Sequence, residues 1–262
     1  MVTLSAALQD NIFLYQEALH RADTGQQYNP GPWLVAKDIP QIVFDAWVDQ
    51  VPAVWKLAYK AQTGEVLLYG DPLPPHARTA GWFLMEIGEQ LEDNLGRSVK
   101  KSFAYSAEER GIISSFGSKV PDFAIIPDPE SGRAVQATVV GEIGYHGETS
   151  FQAVKDEVDL WCRNMHPVVI GVKITDNTAL STPHDPRIEV IVKVVGKVDQ
   201  EFRVGQGASH VCVEGTDVLH IPSELFLPRA QRKQRPVIDP IKLDLFNLLQ
   251  KVRRWVMQRD TL

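Results

Sequence analysis

Residues 120–128 read Val-Pro-Asp-Phe-Ala-Ile-Ile-Pro-Asp, and residues 138–145 read Thr-Val-Val-Gly-Glu-Ile-Gly-Tyr. Both stretches are apolar runs of strand length, and the turn-forming residues between them predict a hairpin. Each strand contains one carboxylate, Asp122 in the first and Glu142 in the second. A hairpin can bring both to one edge of a sheet, where hard oxygen ligands suit Mg²⁺. We therefore predict a site for Mg²⁺ or Mn²⁺ formed by Asp122 and Glu142, to which the carbonyl oxygen of Ile143 can add. Asp122 also fits a turn or capping residue, and Glu142 also fits one half of an ion pair.

The two motifs resemble those of the PD-(D/E)XK nuclease superfamily, which has the restriction-endonuclease-like fold. Pro121-Asp122 matches the PD pair, and Glu142-Ile143 stands where the second motif begins. The third position is Gly144 in place of the family's lysine. The chain is most similar to an endonuclease branch found in bacteria, with fungal relatives, in which the following helix supplies the lysine. The likeness extends over about residues 52–175.

The resemblance implies an α/β protein with a restriction-endonuclease-like core, whose elements run helix, three strands, helix, strand. To this core the sequence adds N-terminal helices, extra C-terminal strands and a C-terminal helix. The implied activity is Mg²⁺- or Mn²⁺-dependent hydrolysis of nucleic-acid phosphodiester bonds, with DNA as the expected partner. Asp122 and Glu142 would hold the ion, which activates water and offsets charge on phosphate.

Further site residues follow from the same resemblance. Lys155, on the helix after the second motif, would replace the missing lysine, and Gln152 would lie on the same helical face to bind water or phosphate. In related nucleases the first helix often carries one more acid facing the metal, and here Glu86 and Glu89 are the candidates. Each of these side chains is also a normal solvated residue of a helix surface.

A second function is consistent with the same residues. A catalytically inactive nuclease-like fold can act as a nucleic-acid-binding, protein-binding or assembly module. Gly144 in the lysine position favours this alternative, as does the formal net charge of −6. A polyanion would have to bind a local basic patch. The basic run at 229–235 is a candidate for phosphate contacts or nuclear targeting, and also reads as a solvated linker. Its cations are Arg229, Arg232, Lys233 and Arg235.

The remaining chemistry-bearing residues give weaker patterns. His76 and His146 can each bind a metal or a proton, but both also fit ordinary loop positions. The seven histidines form no close metal-ligand pair, and no glycine-rich phosphate loop occurs. The two cysteines show no metal-type spacing, so a reduced intracellular protein of the cytoplasm or nucleus is expected. No signal peptide or membrane span is predicted.

Periodicity predicts four regions: an N-terminal helical arm over 1–50, the nuclease-like core over 51–178, additional strands over 179–227, and a basic linker with a C-terminal helix over 228–262. Apolar stripes on the first and last helices must pack against the chain's own core or against a second copy in a homodimer. The predicted helices span 4–22, 39–49, 76–95, 149–163 and 239–257. The predicted strands span 54–59, 65–69, 98–105, 120–128, 138–145, 167–174, 188–195 and 200–204, with a short one at 211–213.

Overall fold

The computed structural model describes thirteen ranges of the chain, which are 4, 6–7, 33–48, 56–69, 74–97, 103–106, 111–113, 117–127, 136–145, 150–164, 166–176, 185–226 and 239–259. The strands within them are β1 (Trp33–Ala36), β2 (Lys56–Lys60), β3 (Glu65–Tyr69), β4 (Phe103–Ser106), β5 (Gly111–Ile113), β6 (Gly117–Lys119), β7 (Phe123–Pro127), β8 (Val139–Tyr145), β9 (Val168–Thr175), β10 (Arg187–Val194), β11 (Gln200–Gly205), β12 (Val218–Ile221) and β13 (Ile241–Asp244). The α-helices are α1 (Gln41–Val48), α2 (Pro74–Leu95), α3 (Phe151–Arg163) and α4 (Leu245–Arg259), and a short 3-10 helix spans Ser223–Phe226.

The chain divides into two compact units, and the first combines Met1–Pro72 with Arg110–Val120. Its sheet has the order β1-β3-β2, which confirms the predicted hairpin of β2 and β3. Helix α1 packs on it through Phe44, whose ring stacks on Tyr59 with centroids 4.9 Å apart. The predicted boundary at residue 50 does not separate this unit, because β1 pairs with β3 and joins the segments on either side of it.

The second unit combines Leu73–Glu109 with Pro121–Leu262 and is built on a six-stranded sheet of order β11-β10-β9-β8-β7-β4. Strands β8 and β9 are parallel, and all other neighbours are antiparallel. The predicted hairpin of β7 and β8 is confirmed. Along the chain this unit runs α2, β4, β7, β8, α3, β9, which is the predicted order of helix, three strands, helix and strand. The protein is therefore a mixed α/β protein.

Helix α2 covers one face of this sheet. Phe123 of β7 stacks on Phe83 of α2 with ring centroids 5.3 Å apart. Gly141 of β8 lies under the same ring, and a Cβ atom there would be only 1.9 Å from it. Because side chains alternate along a strand, Gly141 and Ile143 face α2. The packing of Phe123 therefore requires a glycine at position 141.

Helix α3 covers the opposite face. A Cβ atom on Gly171 of β9 would lie 2.5 Å from Val158 and 2.8 Å from Val154, both of α3. Gly171 is in register with Glu142 of β8, so Glu142 lies on this face too. Ser150 caps the helix, since its hydroxyl accepts a hydrogen bond from the backbone N–H of Ala153.

The C-terminal prediction is partly wrong. The helix expected to begin at 239 begins at Leu245, and the four residues before it form β13, paired with β12. Ile241 and Leu243 are buried while Lys242 is exposed, which is the two-residue period of a strand. The short strand expected at 211–213 is also wrong, because its outer residues, Val211 and Val213, are exposed and belong to no strand.

The apolar stripe of α4 is buried in the core of its own unit. Its buried residues are Leu245, Leu248, Leu249, Val252 and Val256. For this stripe the structure therefore shows packing on the chain's own core, the first of the two alternatives. Of the N-terminal stripe, Leu4 packs against the core of the first unit, and most of the rest lies outside the described residues. Within the described ranges, each helix is too short or too polar to span a lipid bilayer.

Candidate functional site

Asp122 lies directly before the first residue of β7, beside β8. Its backbone N–H donates to the carbonyl oxygen of Gly141 at 2.9 Å. Its carboxylate oxygen Oδ2 accepts a hydrogen bond from the backbone N–H of Ile143 at 2.7 Å. The Asp122 carboxylate thus accepts a backbone hydrogen bond of β8 that a carbonyl oxygen of a neighbouring strand would otherwise accept. The paired strands therefore place the backbone of Asp122 beside that of Glu142.

His76 is the second partner of Asp122. It lies in the first turn of α2, and its Nε2 is 3.1 Å from Oδ2 of Asp122. The other ring nitrogen, Nδ1, is buried and has no hydrogen-bond partner among the described residues. The sequence left His76 open between a site residue and an ordinary loop residue. The structure pairs His76 with Asp122.

Glu142 is buried on the α3 face of the sheet, with 7% of its surface exposed. Its Oε1 accepts a hydrogen bond from the indole Nε1 of Trp161 at 2.5 Å. Trp161 is itself buried, so this bond lies in an apolar environment, where a hydrogen bond is stronger than in water.

The two carboxylates bind helices on opposite faces of the sheet. Asp122 contacts His76 of α2, and Glu142 contacts Trp161 of α3. The two residues are therefore neighbours on adjacent strands, but their side chains bind partners on opposite faces of the sheet. The backbone N–H of Ile143 donates to Asp122. The contact of the Ile143 carbonyl oxygen with an ion stays a prediction. The sharing of one ion by the two carboxylates stays a prediction as well.

Lys155 does not make the predicted approach to Asp122 and Glu142. Its Nζ is 2.7 Å from Oε2 of Glu201 on β11, the edge strand three places from β8. The ammonium also lies over the ring of Phe151, 4.8 Å from the centroid. The reason is electrostatic, since Glu201 offers a carboxylate on the same face of the sheet as α3.

Gln152 also bonds away from the site, because its side-chain amide donates to Oδ1 of Asp156 within α3 at 2.9 Å. On α2, Glu86 is partly buried and Glu89 is exposed. The proposed role of either acid stays a prediction. His146 and the basic run at 229–235 lie outside the described residues.

A buried lysine that the sequence analysis did not single out lies on the next strand. Lys173 of β9 is in register with Gly144 of β8. It lies on the α3 face, two residues beyond Gly171, and only 4% of it is exposed. A sequence signal exists, because Lys173 is the single charge in the apolar run 168–174. A single charge within an apolar run is also what distinguishes Glu142 in the sequence.

Lys173 stands within a small row of charges across the sheet. Its partner in register on β10 is the buried Glu189. An oxygen of Glu189 accepts a hydrogen bond from Arg203 at 2.5 Å, and the other oxygen is 3.4 Å from Nε of Arg187. Burial lowers the pKa of Lys173 from 10.5 to about 8, a shift that Glu189 opposes and Arg187 reinforces.

The donor set fits a hard divalent ion in its chemistry. Asp122 and Glu142 supply carboxylate oxygens from adjacent strands, and a buried carboxylate such as Glu142 is stabilised by a nearby cation. In the described parts of the chain, no group of three or more His, Cys, Asp and Glu side chains is arranged to hold a metal. An ion at this site would therefore depend on the two carboxylates together with water and substrate oxygens.

Comparisons with known proteins find no matching family model, no matching curated protein and no matching solved structure.

Proposed function

We propose that the protein is a divalent-metal-dependent nuclease with a restriction-endonuclease-like core in its second unit. The observation that supports this most directly is the placement of Asp122. Its carboxylate accepts a hydrogen bond from the backbone N–H of Ile143, the residue that follows Glu142, so the two acids are neighbours on adjacent strands at the start of β7. The order of helix, three strands, helix and strand around them fits the same proposal.

Asp122 and Glu142 would hold Mg²⁺ or Mn²⁺. When bound, such an ion supplies Lewis-acid stabilisation of the phosphate and lowers the pKa of water. The chain's own contribution is orientation. The N–H of Ile143 and the ring of His76 fix Asp122 from two directions, while Trp161 fixes Glu142. Carboxylates held in this way need little reorganisation when an ion and a phosphodiester bind.

The test is a cleavage assay on supercoiled plasmid DNA, single-stranded DNA and RNA with Mg²⁺, Mn²⁺ or EDTA. The wild-type protein is expected to cleave at least one substrate with metal and none with EDTA. Asp122→Asn and Glu142→Gln should each reduce the rate by about 100-fold or more. Asp199→Asn is the matched control, since this acid lies in the exposed turn after β10 and should leave cleavage unchanged. Cleavage that survives both site substitutions refutes the proposal.

A second candidate is a binding or assembly module without cleavage. The pairing of Lys155 with Glu201 favours it, because it takes the expected lysine away from the acids. Such a module should bind nucleic acid in EDTA with an affinity that falls as salt is raised. Replacing the four cations of the run 229–235 by Gln should lower the slope of log K against log salt by about three to four. An unchanged slope excludes the run as a phosphate contact.

A further inference from the structure

We propose that Arg187 and Arg203 form a binding site for the phosphate backbone of nucleic acid on the α3 face of the sheet. The two arginines lie on neighbouring strands, Arg187 on β10 and Arg203 on the edge strand β11. The choice of nucleic acid as the ligand rests on the proposed function. The site itself rests on the geometry and the charge of the two arginines.

One buried carboxylate holds both guanidinium groups. An oxygen of Glu189 accepts a hydrogen bond from Nη2 of Arg203 at 2.5 Å, and the other oxygen is 3.4 Å from Nε of Arg187. The side chain of Glu189 is 5% exposed, whereas those of Arg187 and Arg203 are 39% and 53% exposed. The carboxylate therefore lies beneath the two arginines, and their guanidinium groups extend from it towards solvent.

The guanidinium groups keep donors for a second anion. Each group carries five N–H donors in a planar fork. Within the described ranges, Glu189 is the only ion-pair partner of Arg187 and of Arg203, and it contacts one nitrogen of each. A phosphate group can accept two parallel N–H bonds from one guanidinium. A fork that is fixed from below by a carboxylate therefore suits a phosphate that binds from the solvent side.

The local charge also favours an anion, because two guanidinium groups share one carboxylate. Glu201 lies two residues before Arg203 on the same face of β11, but it is paired with Lys155 of α3 at 2.7 Å. The surface around the two arginines therefore keeps positive charge in a protein whose formal net charge is −6. An acidic protein must bind a polyanion through such a local patch.

Strand register places this site on the same sheet face as Glu142. Arg203 is in register with Glu189 of β10, which is in register with Lys173 of β9. Lys173 is in register with Gly144 of β8, two residues beyond Glu142. With strands about 4.8 Å apart, the backbones of Glu142 and Arg203 are about 16 Å apart. Since one strand of a duplex rises about 3.4 Å per nucleotide, the arginines would bind the backbone about five nucleotides from Glu142.

The test measures how salt affects the binding of fluorescently labelled duplex DNA, single-stranded DNA and RNA, in EDTA and again with Ca²⁺. Fluorescence anisotropy gives the binding constant at several NaCl concentrations from about 50 to 300 mM. Arg187→Gln/Arg203→Gln should lower the slope of log K against log salt by about two, because two phosphate contacts are lost. The same variant should bind roughly 10- to 100-fold more weakly than the wild type at about 0.1 M salt.

Arg97→Gln/Lys197→Gln is the matched control, because it removes the same charge from exposed positions outside the site. Arg97 follows α2, which covers the opposite face, and Lys197 lies in the turn at the far end of β10 from Arg187. The control should keep the slope of the wild type. Arg187→Lys/Arg203→Lys should also keep it, since the charge is conserved, but should bind about two- to tenfold more weakly because the planar fork is lost.

Thermal melts establish which variants are folded. If the double glutamine variant does not fold, Arg187→Gln/Glu189→Gln/Arg203→Gln replaces it, because this variant leaves no buried carboxylate without its arginines. A folded variant of either kind that keeps the slope of the wild type overturns the site. An equal loss of slope in the control overturns it too, as does a wild type that binds none of the three nucleic acids.

The cleavage assay decides the proposed function separately. A wild type that cleaves DNA or RNA, with a slope that does not depend on the two arginines, overturns this site and leaves the nuclease proposal standing. A wild type that binds through the arginines and cleaves no substrate refutes the nuclease proposal and supports the site.

Discussion

The buried lysine makes the stability of the protein depend on pH in a way that can be calculated. The pKa of Lys173 is about 8 in the folded protein, against 10.5 for an unburied lysine. Between these values the unfolded chain binds more protons than the folded one, so the free energy of unfolding rises with pH. The shift corresponds to about 3 kcal/mol of stability gained between pH 7 and pH 11.

The perturbation that isolates this effect is Lys173→Met. The wild type should gain stability relative to the variant by about 3 kcal/mol as pH rises through this window. The assay is urea unfolding, followed by tryptophan fluorescence, at several values from pH 7 to pH 11. Burial raises the pKa of Cys162 to about 11 and that of Cys212 to about 12, but both thiols are present in both proteins. Their contributions cancel in the difference.

Lys193→Met provides a control, because the pKa of Lys193 is shifted in the opposite direction to that of Lys173. Hydrogen bonds to Asp159 and Asp199 raise the pKa of Lys193. The stability that Lys193 contributes is therefore fully present below pH 10.5 and is lost only above it. The difference between the wild type and this variant should stay flat from pH 7 to about pH 10. A pH-independent difference for Lys173→Met as well would refute the argument that burial shifts its charge.

Two further predictions concern packing around the site. Gly141→Ala should lower the free energy of unfolding by about 1–3 kcal/mol, because a Cβ atom there overlaps the ring of Phe123. Gly81→Ala should raise the free energy of unfolding by about 1 kcal/mol, because a Cβ atom at this position in α2 meets open space. Thermal melts that give Gly141→Ala and Gly81→Ala the same stability would contradict this. Trp161→Phe should cost about 1–3 kcal/mol in urea unfolding, since buried Glu142 loses a hydrogen-bond donor. Stability equal to the wild type would exclude that bond as a support of the carboxylate.

The local pattern of apolar and turn-forming residues was sufficient to predict the main strands and helices of the core. The apolar runs around Asp122 and Glu142 predicted two paired strands, and the helical period from 149 to 163 predicted α3 within two residues. These predictions held because each element is specified by its own residues: apolar runs bounded by turn residues, or a 3.6-residue period with Ser150 as a cap. The predicted start of the C-terminal helix failed because Ile241–Asp244 carries a strand period too short to recognise inside a longer apolar stripe.

Tertiary structure decided which side chains meet. The sequence placed Asp122 and Glu142 on adjacent strands, but their bonds to His76 and Trp161 depend on which helix covers which face. Lys155 was assigned from the resemblance and from its place on the following helix, and its ammonium instead reaches Glu201, which lies 46 residues away in sequence on β11. Lys173 stands beside Gly144 only because β8 and β9 pair in one particular parallel register. Strand register and face are set by packing of the whole sheet, which no local stretch of residues specifies.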